Sequence, residues 1–248
     1  MLKNSNFITP NWPAPANVKA LQTMRAGGIS LAPYDSFNLG GHVSDNPIHV
    51  AQNRQSLSQF LPSKPVWLNQ VHGINVLNLD EIVAAQTDCV PDADASFSTR
   101  KNVVSVTITA DCLPILLCDT AGTLVASIHA GWRSLCDGVI EATIAKMGAD
   151  SSQLMAWFGP AIGPNAFEVG AEVREQFIAK DAKAELAFKK HGDKYLSNIY
   201  QIAMQRLNNC GVTQIDGGNF CTYSQTDQFF SFRRDGATGR MATLIWLI

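Results

Sequence analysis

The chain contains five histidines, at positions 42, 49, 72, 129 and 191, and six cysteines, at 89, 112, 118, 136, 210 and 221. Three of these residues stand at the ends of short apolar runs. His72 follows residues 66–71 in Asn69-Gln-Val-His-Gly73. Cys112 closes the run 103–109 in Thr109-Ala-Asp-Cys-Leu-Pro114. His129 follows residues 123–128 in Ile128-His-Ala-Gly-Trp-Arg133. If the runs are neighbouring strands, two imidazoles and one thiol converge beside small residues that let a ligand approach. That donor set suits zinc with an open fourth position, where a water would be acidified by the metal. The gaps of 40 and 17 residues match no local zinc signature, and the same residues admit two other readings. Cys112 could be a nucleophile with His129 as its base, as in a cysteine hydrolase or deamidase. Blue copper also uses two His and one Cys. A full multicopper oxidase is rejected, because it needs a histidine-rich cluster and no His-x-His pair occurs.

The remaining cysteines read differently. No Cys-x-x-Cys pair occurs, which argues against a disulfide framework or a zinc ribbon. Cys89, Cys118, Cys136 and Cys210 are expected to be buried small apolar side chains. Two further segments could meet a ligand. Gly159-Pro-Ala-Ile-Gly-Pro164 could wall a pocket, or bind an anion through backbone N–H groups, or be a tight structural turn. Phe229-Phe-Ser-Phe-Arg-Arg-Asp-Gly236 sets aromatics beside two arginines and could stack a planar base and hold a phosphate or carboxylate. Taken alone, it reads better as a core strand followed by a charged turn. Arg133, at an expected helix start, is the stronger anion candidate, because a helix N-terminus favours negative charge.

The bulk of the chain limits what these residues can serve. Its 248 residues are 46% hydrophobic and only 16% charged, enough for a sizeable core and unlike a disordered chain. Nineteen basic and 21 acidic residues leave a net charge of −2, with no basic excess to hold a phosphate backbone, so nucleic acid is not an expected partner. The first ten residues carry no apolar h-region, and stretches such as 113–118 are too short to span a bilayer. The expected setting is a reducing cytoplasm, with no membrane partner.

Elements that must position the site follow from periodicity. Residues 1–16, rich in proline, form an extended lead-in, and 33–41 a long loop. Helices are expected over about 47–60, with Val50, Arg54, Leu57 and Leu61 on one face; 132–147, with Gly148 as its stop; 170–179; and 196–208. Strands are expected over 66–71, 103–109, 113–118, 123–128, 155–158 and 241–247, with a turn at 119–122. Strands in hairpin succession and strands separated by helices together suggest a mixed sheet, or two, with helices outside.

In order along the chain, Arg25-Ala-Gly-Gly-Ile-Ser30, Tyr34-Asp-Ser-Phe-Asn-Leu-Gly40, Asn69-Gln-Val-His-Gly73, Ala110-Asp-Cys-Leu-Pro114, His129-Ala-Gly-Trp-Arg133, Gly159-Pro-Ala-Ile-Gly-Pro164 and Phe230-Ser-Phe-Arg-Arg-Asp-Gly236 resemble the laccase-domain family, formerly named multicopper polyphenol oxidase. The resemblance runs from about Asn11 to the C-terminus. It implies a single α/β/β/α layered domain over residues 1–248 with mixed sheets, related to cysteine hydrolases. It also implies zinc on His72, Cys112 and His129, with copper as an adventitious occupant. Asp94, in Asp92-Ala-Asp-Ala95, matches a further family motif, and Asp94, Arg133 and Arg25 are the candidate substrate-binding residues. Ser134 departs from the glycine usual after His-Ala-Gly-Trp-Arg, and only a small shift of the local turn is expected. Family members include purine nucleoside phosphorylases that act on adenosine, inosine and methylthioadenosine and deaminate adenosine. A peptidoglycan editing factor that hydrolyses an amide of a mis-charged muramyl precursor is the competing function. A non-catalytic metal-binding or partner-binding protein is a third.

Overall fold

The computed structural model describes residues 2–85 and 90–248; Cys89 lies outside them. In chain order the first half holds β1 (Phe7–Ile8), β2 (Val18–Thr23), α1 (Pro47–Ser58), β3 (Val76–Asn78), α2 (Leu79–Ala85), β4 (Ala95–Ser98), β5 (Ser105–Thr109), β6 (Leu113–Asp119) and β7 (Val125–Ala130). Then come α3 (Trp132–Asp137), α4 (Val139–Met147), β8 (Leu154–Phe158), β9 (Glu168–Val169), α5 (Ala171–Lys180), β10 (Phe188–His191) and β11 (Lys194–Ser197). The chain closes with α6 (Ile199–Asn209), β12 (Gln214–Gly217), α7 (Phe232–Asp235) and β13 (Met241–Leu247).

Two sheets stack. One is ordered β1-β2-β13-β5 with antiparallel neighbours. The other is ordered β12-β8-β6-β7-β4-β3, antiparallel at its centre and parallel at both edges. Strand alternation divides the core into layers. On β13, Ala242, Leu244 and Trp246 pack with Phe37, Leu39 and Leu57 under α1, while Ile245 and Leu247 face Leu116, Cys118, Met155 and Trp157 of the second sheet. On β6, Leu113, Ile115 and Leu117 face Ile140, Ile144, Ile202 and Leu207 of α4 and α6. The result is one α/β/β/α layered domain. A third, small sheet, β10-β11-β9, lies apart from these two.

Several boundaries depart from expectation, each for a local reason. Residues 66–71 form no strand; they run extended with single bridges at Val66 and Asn69. The Gln70 side chain takes the place of ladder bonds, donating to Ile108 O (2.8 Å) and accepting from Ile108 N (2.7 Å). The third run starts late because Asp119 captures Thr123 N (2.7 Å) and Leu124 N (3.0 Å). β7 therefore spans Val125–Ala130, and His129 lies within it. The helix expected over 132–147 breaks at Gly138, whose φ of 102° is left-handed, a conformation glycine adopts without steric cost. Leu196 belongs to β11, and Asn198 caps α6 by accepting from Gln201 N (3.1 Å). The lead-in carries a short turn at Asn4–Asn6 and β1. Cys118 and Cys136 are buried, but Cys210, at the C-terminal end of α6, is half-buried.

Candidate metal and substrate site

The chain passes from the first sheet to the second between β5 and β6, and Cys112 sits at that crossing. His129 comes from the end of β7, the strand next to β6. His72 comes from the loop before β3. The ligand atoms of the three side chains all lie within 4.8 Å of one another. Cys112 Sγ is 3.8 Å from His72 Nε2, and the two imidazole rings meet edge-to-face at 4.8 Å between centroids. The convergence expected from strand ends is therefore present, although one of the three strands is not.

Asp94, just before β4, organises the cluster. Its carboxylate accepts from Val71 N (3.3 Å), His72 N (2.9 Å) and Gly73 N (2.6 Å), and Oδ1 lies 2.7 Å from His129 Nδ1. His72 is thereby held at a φ of 60°, a conformation that costs a non-glycine residue ~1–2 kcal/mol. The Asp94 contact puts the His129 proton on Nδ1 and leaves Nε2 for a ligand, the carboxylate–histidine–metal arrangement of zinc sites. Asp94 is 1% exposed, and its oxygens are occupied in holding His72 and His129 in place. Gly131 is required by crowding. A Cβ there would stand 2.8 Å from His72 Cδ2 and 3.2 Å from Cys112 Sγ. Ser134 closes the turn, its hydroxyl donating to His129 O and Gly131 O, both at 3.2 Å.

Charge favours the thiolate form of Cys112 and the protonated form of His129. Burial raises the Cys112 thiol, but the positive charge and hydrogen bonding of His129, with His72 assisting, outweigh it and bring the thiol down to about 6. Burial lowers His129, but the facing Cys112 and Asp94 raise it overall. Both directions favour a thiolate beside an imidazolium, so a metal bound here would have to displace the His129 proton. Two imidazoles and a thiolate whose ligand atoms lie within reach of one ion, one imidazole already oriented by a buried carboxylate, could hold a metal ion.

The cluster opens onto a cleft with two lobes that share His72, Ala110, Cys112 and Phe232. One lobe, of about 240 Å³, is walled by Trp132, Phe167, Ile162 and Ile199, with Arg133 and Arg233 at its edge. The other, of about 250 Å³, is walled by His42, Gln70, Thr109 and Arg240. Arg133 is exposed and lies over the Trp132 ring (4.3 Å). Arg25 is not brought to this cleft. It donates to Asp35 O (3.1 Å) and Thr226 O (3.0 Å) and braces a loop elsewhere.

The segment 229–236 is no strand. Phe229 and Phe230 are buried, while Phe232 opens α7, is exposed and walls both lobes. In the Gly159–Pro164 loop, Ile162 walls the aromatic lobe, but the N–H groups are spent. Gly159 donates to Pro114 O, Ala161 to Tyr200 Oη, Ile162 to Asp111 O and Gly163 to Cys221 Sγ. None is left for an anion. Sequence reasoning missed Asp111, whose φ is 90° and whose carboxylate accepts from Thr222 Oγ1 and Arg233 N, both at 2.6 Å, fixing the residue before Cys112. It also missed His42 and Arg240. His42 was legible only as one of five histidines, and Arg240 carried no signal.

Residues 19–248 match the family described as multi-copper polyphenol oxidoreductase laccase. Proteins named purine nucleoside phosphorylase YfiH from Shigella flexneri and from Escherichia coli are each 56% identical to this chain over 246 residues, covering 98% of it and all of the relative. A crystal structure of a Neisseria meningitidis protein superposes with a TM-score of 0.93 at 48% identity, covering 98% of this chain and 99% of that one. YlmD from Geobacillus stearothermophilus superposes at 0.90 with 27% identity, covering 100% and 98%. With a family match over nearly the whole length and relatives this close, the chain belongs to the multi-copper polyphenol oxidoreductase laccase family.

Proposed function

We propose that this chain is a zinc-dependent purine nucleoside phosphorylase that also deaminates adenosine, acting in the cytoplasm as one catalytic domain over residues 1–248. The observation that carries the reading is the position of His72 and Cys112 on the wall shared by an aromatic lobe and a second lobe lined by His129 and Arg240. Relatives that cover all but 2% of the chain and bear the phosphorylase name support it. In phosphorolysis a phosphate oxygen forms a bond to the anomeric carbon. The glycosidic C–N bond breaks with its electron pair on the purine, which takes up a proton. Trp132, Phe167 and Phe232 offer flat apolar surface for the purine and keep water from the reacting carbon. Asp94 holds His129 in one tautomer and His72 in place. Zinc held by His72, Cys112 and His129 would supply a Lewis acid with no redox chemistry of its own.

One observation favours a second reading. Cys112, His129 and Asp94 line up as nucleophile, base and orienting carboxylate, with the thiol already low. That arrangement suits amide hydrolysis of a muramyl-amino acid precursor through an acyl-thiol intermediate later released by water. Incubation of metal-analysed protein with adenosine plus phosphate, and separately with a muramyl-serine precursor, decides between them. Free purine is expected only in the first. Serine release without nucleoside turnover would put the second reading in its place.

A further inference from the structure

Both lobes leave guanidinium N–H groups without a partner among the described residues. Those of the aromatic lobe belong to exposed arginines, which water can serve, and that of the other lobe to a half-buried one. In the aromatic lobe, Arg133 is exposed over Trp132, and Arg233 donates its Nη1 to Glu168 O (2.7 Å). In the other lobe, the half-buried Arg240 donates Nη1 to Thr238 O (2.8 Å) and Gly239 O (3.1 Å). Its Nε and Nη2 have no hydrogen-bond partner, and no carboxylate lies within ion-pair distance of it, among the described residues. Its guanidinium carbon lies 5.7 Å from the centre of the Phe232 ring, and a guanidinium partly withdrawn from water with no direct ion pair gains from a ligand that supplies the charge. Its free edge is the fork that binds a phosphate through two N–H groups.

A second, separate observation lies in the same lobe. Thr109, 1% exposed, keeps Oγ1 without a hydrogen-bond partner among the described residues. A buried hydroxyl is ordinarily satisfied. His42 adds a ring nitrogen at the lobe's rim, on a loop pinned by Asn53 and by Asp45, which accepts from Ser30 Oγ (2.7 Å) and Asn38 Nδ2 (2.8 Å). Gln70 contributes only shape, because its amide is spent on Ile108.

We propose that Arg240, with Thr109 and His42, forms the oxyanion subsite that takes inorganic phosphate, so that the purine lies in the aromatic lobe and the sugar passes across Cys112 and His72. The assignment rests on the phosphorylase reading. It moves the phosphate from Arg133, the cation favoured by sequence, to a cation that no sequence pattern marked. Arg133 is left to the purine side.

The test pairs calorimetric titration of inorganic phosphate into the zinc-loaded protein with steady-state KM values for phosphate and for inosine. Arg240→Met is expected to weaken phosphate binding and raise the phosphate KM by about tenfold or more, with the inosine KM within about twofold. Thr109→Val should give a smaller loss in the same direction, and Arg133→Met none. Since Arg240 also anchors its own loop, melting temperature and zinc content are measured for every variant. If Arg240→Met does not fold, Arg240→Lys and Thr109→Val carry the test. Unchanged phosphate affinity in both, or in Arg240→Met, overturns the subsite, as does loss of phosphate binding in Arg133→Met alone. A wild-type protein that binds phosphate through Arg240 yet cleaves no nucleoside would refute the phosphorylase reading and leave the subsite standing. One that phosphorolyses inosine with Arg240→Met indistinguishable from wild type would do the reverse.

Discussion

Asp94 joins three chain segments at one carboxylate, and two of the three metal-site residues depend on it. Replacing it with Asn keeps the volume but puts an amide where an acceptor stood. Asp94→Asn is expected to lower zinc affinity by roughly 10–100-fold and to destabilise the fold by about 1–3 kcal/mol, because backbone donors lose their acceptor. Chelator competition and urea denaturation read the two effects separately. Gly131→Ala should behave differently. Its Cβ would meet His72 and Cys112 and not the core, so zinc loading should fall while the urea midpoint stays near wild type. At this scale the clustering of His72, Cys112 and His129 was legible, since His and Cys beside Gly and Ala at the ends of apolar runs are few in this chain. The support was not. Asp94 acts through backbone N–H groups 21–23 residues away, and Arg240 reaches the cleft from far beyond any local pattern.

Elements were legible where burial alone decides them, as in β13, whose seven residues are all buried. They were misread where a side chain replaces a backbone bond. Gln70 satisfies Ile108 and spares residues 66–71 from pairing, and Asp119 holds Thr123 and Leu124 out of β7. Asp80, in the first turn of α2, is a third such device. It accepts from the Ser98 hydroxyl, from Thr99 N (3.0 Å) and from Thr99 Oγ1 (2.7 Å), tying the helix to the end of β4. Partial burial raises its carboxyl, but those hydrogen bonds outweigh the burial and leave it below the usual carboxylate range. A group with a depressed folded pKa stabilises above its unfolded value, about 4, and loses that contribution as pH falls through the lower folded value. Asp80→Asn should therefore cost about 1–2 kcal/mol at pH 7. The gap to wild type should narrow steadily as pH drops below about 4. Denaturant titrations at a series of pH values check this; a gap that widens in acid would contradict it.

At the scale of the whole molecule, the two large sheets meet through surfaces that are not purely apolar. Ser105 of β5 lies 2.7 Å, Oγ to Oγ, from both Ser96 of β4 and Ser127 of β7, all of them buried. This hydroxyl chain bridges the sheets, and Cys112 sits where the backbone itself crosses between the same two sheets. Ser105→Ala is expected to destabilise by about 1–3 kcal/mol by leaving hydroxyls short of a partner, with zinc stoichiometry unchanged; equilibrium unfolding and metal analysis test both. Mixed pairing with helices outside could be anticipated from strand order, and the four layers from the family resemblance alone. The junction between sheets could not, because it depends on which strands leave one sheet for the other. The central claim is that zinc at His72, Cys112 and His129 supports nucleoside cleavage by phosphate. Its most direct test is to strip the metal, reconstitute with zinc or with copper separately, and measure ribose 1-phosphate formed from inosine and phosphate. Zinc protein should yield ribose 1-phosphate and hypoxanthine in equal amounts, and the stripped protein neither. No ribose 1-phosphate with zinc, and turnover with copper alone accompanied by stoichiometric oxygen uptake, would contradict it.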